Sequence, residues 1–214
     1  MENKAESKIE ILQLFVGGYD NFVYLIADKS NNNALIVDPA WQADFIKSVI
    51  AERNLHLIGI LLTHSHFDHR NAVGEFHNPN TPLYIAEAEI PYWDECPKNA
   101  IALHDQDEIP FGEYKIKCHL TPGHTKGSIC YEIAGNLITG DTLFINGCGR
   151  TDLPGGDSSE MFETLQKIKK MPPDLMLFTG HSYGDVPYEK LGSQIKRNPY
   201  LLIEDKAKFL EFRG

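Results

Sequence analysis

Residues 57–69 read LIGILLTHSHFDH, an apolar run that passes directly into three histidines and an aspartate. The apolar part predicts a strand, and the polar part falls where that strand gives way to a helix. Imidazole nitrogens and carboxylate oxygens are good ligands for zinc and similar divalent ions, and crowding them is unfavourable unless a cation compensates. The stretch therefore predicts a metal site that contains His64, His66, Asp68 and His69.

The local geometry of this stretch indicates that it serves two adjacent ions. His64 and His66 lie on the same side of an extended segment, because successive side chains of a strand alternate. Asp68 and His69 fall on the first turn of a helix and point in different directions. One loop can thus contribute ligands to two sites.

Three further polar residues, His124, Asp141 and His181, each follow a strand-like segment and a small or turn-forming residue. A rigid sheet delivers side chains at such positions to a common rim. We assign one ion to His64, His66 and His124. We assign the other to Asp68, His69 and His181, with Asp141 bridging. Each ion then keeps an open position for water, which is typical of catalytic metals. Ordinary surface or core roles are expected for the other histidines, His56, His77, His104 and His119.

Strand-like and helix-like segments are mixed in both halves of the chain. Segments rich in β-branched and aromatic residues predict strands at 9–16, 22–27, 34–37, 57–63, 83–86, 114–120, 128–133, 137–139 and 175–179, with a hairpin turn at 134–136. Helices are predicted at 43–53, 68–76, 158–170 and near 203–212. Asp157 is expected to cap the third helix, with Glu160 returning a bond to its backbone. This mixture predicts an α/β layered fold, and we expect a single domain, 1–214.

Composition excludes several classes of function. The chain of 214 residues has 20 basic and 30 acidic residues, and the resulting net charge of −10 repels nucleic acid. The first ten residues lack the pattern of an export signal, and no apolar run approaches the ~20 residues that cross a bilayer. Four scattered cysteines with no C-x-x-C pair indicate reduced thiols. We therefore expect a cytoplasmic protein that binds neither nucleic acid nor membranes.

Four segments carry a family resemblance: THSHFDH at 63–69, TPGHTKGS at 121–128, GDTLF at 140–144 and Gly180-His181. Together they resemble the metallo-β-lactamase superfamily, and within it the glyoxalase II (hydroxyacylglutathione hydrolase) branch. The resemblance implies an αβ/βα sandwich, two β-sheets face to face with helices outside, and a dinuclear site at one edge. It also implies the ligand assignment given above. Zinc is the favoured metal, with iron and manganese as alternatives.

The same resemblance implies a metal-dependent hydrolase that cleaves a thioester, such as a hydroxyacylglutathione, through a metal-bridging hydroxide. Asp68 and Asp141 are then the carboxylates of the catalytic centre, and the substrate is a small anionic thioester or glutathione conjugate. The GCGR segment at 147–150 resembles a loop that presents a basic residue, here Arg150, to glutathione. Tyr183 matches a second position that contacts the ligand. An ion pair of Arg150 with Asp152 or Asp157, and packing of Tyr183 at the rim, explain these two residues equally well.

A rival interpretation is a persulfide dioxygenase, because that branch shares the histidine cluster and the GCGRTD stretch at 147–152. It would hold a single iron through His64, His124 and Asp141 and act on glutathione persulfide. Tyr200, where that branch tends to have arginine, favours the hydrolase. Three other functions are disfavoured. A non-enzymatic protein of this fold would lack some metal ligands, and none is missing here. β-Lactamases do not usually combine the Asp68-His69 pair with Asp141, and a nuclease would normally present a basic surface, whereas this chain has a net charge of −10.

Overall fold

Two β-sheets stacked face to face, with helices on their outer surfaces, make up the structure, as the family resemblance implies. It is a computed structural model that describes residues 7–213. Residues 1–6, which belong to the segment expected to carry no export signal, lie outside the described residues, as does residue 214.

The first sheet contains six strands in chain order. They are β1 (Ile9–Val16), β2 (Asn21–Asp28), β3 (Asn33–Val37), β4 (His56–Leu61), β5 (Leu83–Ala86) and β6 (Ile101–Leu103). The first three strands pair antiparallel, and β3 to β6 run parallel. Every residue of β2 is buried, because both faces of this sheet are covered.

The second sheet also has six strands, in the order β14-β13-β10-β9-β8-β7. They are β7 (Glu108–Phe111), β8 (Tyr114–Leu120), β9 (Ile129–Ile133), β10 (Asn136–Gly140), β13 (Met176–Thr179) and β14 (Tyr188–Lys190), while β11 (Leu143–Phe144) and β12 (Gly147–Cys148) form a separate hairpin. The predicted turn between β9 and β10 is confirmed. Ala134 and Gly135 both have positive φ, 49° and 81°, as a two-residue hairpin of matching twist requires.

Within residues 7–213, five α-helices and two short 3₁₀ helices complete the fold. They are α1 (Ala43–Glu52), α2 (Phe67–Arg70), α3 (Ser158–Ile168), α4 (Leu191–Arg197) and α5 (Lys206–Arg213), with 3₁₀ turns at Val73–Glu75 and Glu87–Tyr92. Within the described residues, no helix combines the length and the hydrophobicity needed to span a bilayer.

The predicted helix 68–76 is wrong as a continuous element, because its backbone is diverted at the middle. The Ala72 N–H donates to the Pro39 carbonyl at 3.1 Å, and the Asn71 side chain accepts from Trp41 N at 2.6 Å. These bonds replace helical ones and tie the segment to the turn after β3. Helix α4 was not predicted; it begins without a side-chain cap and is only seven residues long.

Asp157 caps α3 as expected, accepting from Ser159 N at 2.7 Å and Glu160 N at 2.9 Å. The predicted return bond from Glu160 is wrong. The Asp157 N–H donates to the Gly123 carbonyl at 2.8 Å instead. The start of α3 is therefore attached to the loop that carries His124.

Three hydrophobic clusters hold the layers together. One lies between the two sheets, and it includes Tyr24, Leu61, Ile116 and Tyr131. A second packs α1 on the outer face of the first sheet, and a third packs α3, α4 and α5 on the outer face of the second. Burial of these apolar faces is the main force that fixes the sheets relative to each other.

Backbone bonds also join the two sheets at one edge. The Phe22 N–H donates to the Gly180 carbonyl at 2.8 Å, and the Ile129 N–H donates to the Thr63 carbonyl at 2.9 Å. The buried Tyr131 hydroxyl donates to the Leu62 carbonyl at 2.6 Å. The ends of β4, β8, β10 and β13 meet at this edge.

Candidate metal centre

Six of the seven residues assigned from the sequence as metal ligands form two groups of three at this edge. One group is His64, His66 and His124, and the other is Asp68, His69 and His181; within each, the ligand atoms lie within 4.8 Å of one another. In the first group, His66 Nδ1 is 3.0 Å from His64 Nε2 and 2.9 Å from His124 Nε2. In the second, His181 Nε2 lies 3.2 Å from His69 Nε2 and 3.5 Å from Asp68 Oδ2.

Asp141, the seventh residue, lies between the groups. Its Oδ2 is 3.6 Å from His124 Nε2 and 3.2 Å from His181 Nε2, and its Oδ1 is 3.3 Å from His69 Nε2. Oδ1 is buried and has no hydrogen-bond partner. A buried carboxylate oxygen without a partner is costly, so this atom is suited to a bound cation.

The parallel pairing of β10 and β13 places Asp141 beside His181. Gly140 and Thr179 are register partners, and the Gly180 N–H donates to the Gly140 carbonyl at 2.8 Å. A Cβ on Gly180 would run into Asp141 Oδ1 and would lie 3.0 Å from the His69 ring. Glycine is therefore required at 180, because the donor groups approach this backbone so closely.

Hydrogen bonds outside the groups turn three of the histidines so that Nε2 faces the centre. The Nδ1 atoms of His124 and His181 donate to the carbonyls of Arg150 and Tyr19, each at 2.7 Å. His69 Nδ1 donates to Asp38 Oδ2 at 3.0 Å. A carbonyl or carboxylate only accepts, so each of these Nδ1 atoms carries the hydrogen. Partners of this kind fix the tautomer and the orientation of metal-binding histidines.

His64 is oriented the same way through Thr63. The Thr63 hydroxyl donates its one hydrogen to Asp38 Oδ2 at 2.6 Å, so it can only accept from His64 Nδ1, at 3.0 Å. Thr63 N also donates to Asp38 Oδ1 at 2.7 Å. Asp38 thus supports one histidine of each group.

Asn21 plays the corresponding role for Asp68. Its amide nitrogen donates to Asp68 Oδ2 at 3.0 Å and to the Asp68 carbonyl at 3.1 Å, while its oxygen accepts from the Trp41 indole at 2.8 Å. Our sequence analysis missed both Asp38 and Asn21. Asp38 directly follows β3, so the strand-end rule that found Asp141 could have found it; no comparable signal marks Asn21.

The electrostatics of the centre match a cation-binding site. Burial, aided by the neighbouring histidines, lowers the pKa of His64 well below its usual value and that of His66 to about 4. Burial also lowers the pKa of His124. These rings are neutral at pH 7, as metal binding requires. His64 and His124 then direct lone pairs at His66 Nδ1, which can donate to only one of them, so a cation between the three relieves the conflict.

In the second group the surroundings of His69 and Asp141 shift their pKa values in opposite directions. Burial lowers the pKa of His69, but Asp141 and Asp38 outweigh it and raise that pKa well above its usual value. Burial raises the pKa of Asp141, but His69 and His181 outweigh it and hold that pKa well below its usual range. The charge pattern therefore favours positive charge at this position, and the residues present fit a divalent ion.

A cavity of about 410 Å³ opens beside Asp141 and His124. Its lining includes Phe144, Ile145, Tyr183, Tyr200 and Arg150. Tyr183 stacks on His181 with ring centroids 4.6 Å apart, and burial raises its pKa to about 12, so its hydroxyl stays protonated. Arg150 is exposed and donates from Nε and Nη2 to Asp152, at 2.7 and 2.6 Å.

The histidines expected to have ordinary roles lie outside the centre. His104 pairs with Glu87 at 3.1 Å on the surface, and His119 pairs with Glu132 at 2.7 Å. His56 is exposed and His77 is partly buried. The structure thus separates these four from the five histidines of the two groups.

Several known proteins are similar to this chain in sequence. The profile of the family described as "Metallo-beta-lactamase superfamily" matches residues 16–181, a range that includes all seven assigned ligands. "Probable polyketide biosynthesis zinc-dependent hydrolase BaeB" of Bacillus velezensis is 40% identical over 92% of this chain and 88% of its own length. A hydroxyacylglutathione hydrolase of Pseudoalteromonas translucida is 33% identical over 87% of this chain and 70% of its own length.

Two solved structures have the same fold. ETHE1 from Myxococcus xanthus superposes with a TM-score of 0.86 at 26% identity, covering 95% of this chain and 89% of its own. TTHA1623, solved in a di-iron-bound form, superposes with a TM-score of 0.78 at 25% identity, covering 89% of this chain and all (100%) of its own. Proteins of this architecture thus include a relative named for zinc and a structure that contains two irons.

Proposed function

The chain belongs to the metallo-β-lactamase superfamily, and from this premise we propose that it is a metal-dependent hydrolase of thioesters, with hydroxyacylglutathione as the reference substrate. One observation carries the proposal. Two groups of three donors lie on either side of one carboxylate, Asp141, and beside a cavity of about 410 Å³. Two of the relatives are named as hydrolases, and hydroxyacylglutathione is a thioester.

The proposed ligands are those of the two groups: His64, His66 and His124 for one ion, Asp68, His69 and His181 for the other, and Asp141 for both. Zinc is our first choice because a relative is named zinc-dependent, and iron is the second because a similar structure holds two irons. Two divalent ions bound there would supply a hydroxide at neutral pH and polarise the carbonyl of the substrate.

The protein's own residues hold the donors and guide the substrate. Asp38 and Asn21 fix the orientation of donors in both groups through the hydrogen bonds described above. In the proposed complex the thiol arm runs along Tyr183 toward Arg150. Arg150 must then exchange its contact with Asp152 for a substrate carboxylate, which is feasible because that ion pair is exposed to water.

The persulfide dioxygenase remains the second candidate, since His64, His124 and Asp141 are all present at the centre. That reaction needs one metal and three protein ligands. The second group is nevertheless complete, and Asn21 and Asp38 support its members with buried or partly buried hydrogen bonds. The dioxygenase branch shares the histidine cluster, however, so the second group does not separate the two reactions, and Tyr200 is the residue that favours the hydrolase.

The test is metal content and activity on the same preparation, purified without added metal. Metal per chain is measured by mass spectrometry, thiol release from S-D-lactoylglutathione follows hydrolysis, and an oxygen electrode follows turnover of glutathione persulfide. Two ions with thiol release support the proposal, and one iron with oxygen uptake replaces it with the dioxygenase. His181→Asn should abolish thiol release, whereas the surface variant His104→Asn is the matched control and should not.

A further inference from the structure

A buried carboxylate outside the donor groups joins the two loops that supply the first group. Glu89, in the 3₁₀ turn Glu87–Tyr92, is fully buried, with 0% of its surface exposed. Its Oε2 accepts from Ser65 N at 2.7 Å and Ser65 Oγ at 2.6 Å, and its Oε1 accepts from Gly127 N at 2.7 Å. Among the described residues, no lysine, arginine or histidine forms an ion pair with it.

The partners of Glu89 are backbone positions next to the donors. Ser65 lies between His64 and His66, and Gly127 follows His124 by three residues. Each carboxylate oxygen therefore holds a different loop, and the length of one side chain sets the distance between them. The backbone carbonyl of Ser65 is held as well, because it accepts a hydrogen bond from Arg70 Nε at 2.6 Å.

Gly127 reflects the closeness of this contact. A Cβ at position 127 would lie 2.7 Å from Glu89 Cγ and 2.9 Å from Oε1, so no side chain fits while Glu89 keeps its place. The glycine of the TPGHTKGS segment thus allows the carboxylate to reach the backbone N–H directly.

His66 depends on this arrangement more than the other donors do. The hydrogen bonds of the His66 ring in the described structure are to His64 and His124, members of its own group. Rings such as His124 and His181 are oriented by a carbonyl outside their group, but His66 is placed by its backbone alone. That backbone begins at Ser65, which Glu89 holds.

We propose that Glu89 is a positioning residue that sets the spacing between the His64–His66 loop and the His124 loop, and so sets the affinity of the first group for its ion. The inference rests on the metal-binding role proposed above. Its negative charge also favours a cation nearby, since a buried carboxylate without a counter-charge is costly. A role limited to folding would instead lower stability without a preference for one ion.

The experiment is a titration of the metal-free protein with zinc and with cobalt, with no substrate present. Glu89→Gln keeps the size of the side chain but places an NH₂ group against an N–H or O–H donor. We expect one of the two ions to bind about 10- to 100-fold more weakly, the range found when partners of metal ligands are removed. Glu87→Gln, two residues away on the same turn and exposed, is the matched control and should bind both ions normally.

The visible spectrum of bound cobalt identifies the affected group. The spectrum of Glu89→Gln should resemble that of His124→Asn, which removes a donor of the first group, and not that of His181→Asn. Unchanged affinity for both ions, or equal weakening of both, would overturn the inference. If Glu89→Gln does not fold, Ser65→Ala serves instead, because it removes only the hydrogen bond from the Ser65 hydroxyl to Glu89. Weaker binding of the ion held by the first group would again support the inference, and unchanged binding would overturn it.

The result is separate from the question of activity. A wild-type protein that binds two ions but cleaves no thioester would refute the proposed function. The effect of Glu89 on metal affinity could still be measured in that protein.

Discussion

Asp38 links the two donor groups, and its replacement by asparagine is the most informative single change. Asp38→Asn preserves the size of the side chain, and asparagine readily adopts the left-handed backbone of this position, where φ is 52°. One amide oxygen can still accept from the Thr63 hydroxyl and His69, but an NH₂ group then faces the Thr63 N–H. At least one charge-assisted bond becomes a contact between two donors.

The magnitude follows from those bonds. Loss of a hydrogen bond to a buried carboxylate costs about 1.5–3 kcal/mol, so the free energy of unfolding of the metal-free protein should fall by about 3 kcal/mol once the weakened remaining bonds are included. Misorientation of His64 and His69 should weaken metal binding about 10- to 100-fold, which corresponds to about 1.4–2.8 kcal/mol per ion. Urea unfolding measures the first quantity, and zinc titration against a chelator measures the second.

Asp28 provides a matched control. Asp28 and Asp38 are each 2% exposed, and Asp28 also accepts three hydrogen bonds, from Ser30 N, Ser30 Oγ and Asn31 Nδ2. It lies at the opposite end of β2 from Asn21, which contacts Asp68, and at ~3.3 Å per residue the two ends are about 23 Å apart. Asp28→Asn should destabilise the fold but leave zinc affinity unchanged. If Asp38→Asn also leaves zinc affinity unchanged, Asp38 does not organise the centre and our account of it is wrong.

Three further outcomes are expected. Asp141→Asn removes the negative charge that lies between the two groups, so thiol release should fall more than about 100-fold and bound metal should decrease. The effect should be this large because removing even a partner of a metal ligand weakens binding about 10- to 100-fold. Full metal content with normal turnover would contradict the assignment of Asp141 as a ligand. Removal of metal with a chelator should lower the melting temperature, and zinc added at about 100 times its Kd should restore about 2.7 kcal/mol of stability, which thermal scans at fixed pH can measure. Arg150→Ala should raise KM for S-D-lactoylglutathione with little change in kcat. Asp152→Asn removes the charge that pairs with the Arg150 guanidinium, so it should lower KM. An unchanged KM in both variants would show that Arg150 does not contact the substrate.

The candidate site was easier to predict from the sequence than the helices were. Asp141 and His181 each follow a strand, and parallel strands end at the same edge, so their meeting follows from topology. Similarly, the boundaries of β1 and β8 match the prediction, because both strands are long, β1 is rich in β-branched and aromatic residues, and apolar and polar residues alternate in β8. The residue pattern of such segments predicts a strand and its boundaries from the sequence alone.

The failures have a physical cause in contacts between distant segments. Residues 68–76 have a helical pattern, but bonds to Trp41 and Pro39 divert the backbone at Asn71 and Ala72. Short edge strands such as β6 and β14, with three residues each, carry too little pattern to predict. Glu89 and Asn21 acquire their roles only through partners more than twenty residues away, and no local signal indicates such pairs.

Each donor group takes two members from residues 64–69 and one from much later in the chain, His124 or His181. The early pair remains close together even when the protein is unfolded, so a newly synthesised chain can capture an ion before the second half exists. Binding to the unfolded chain subtracts from the stability that the metal gives the folded one.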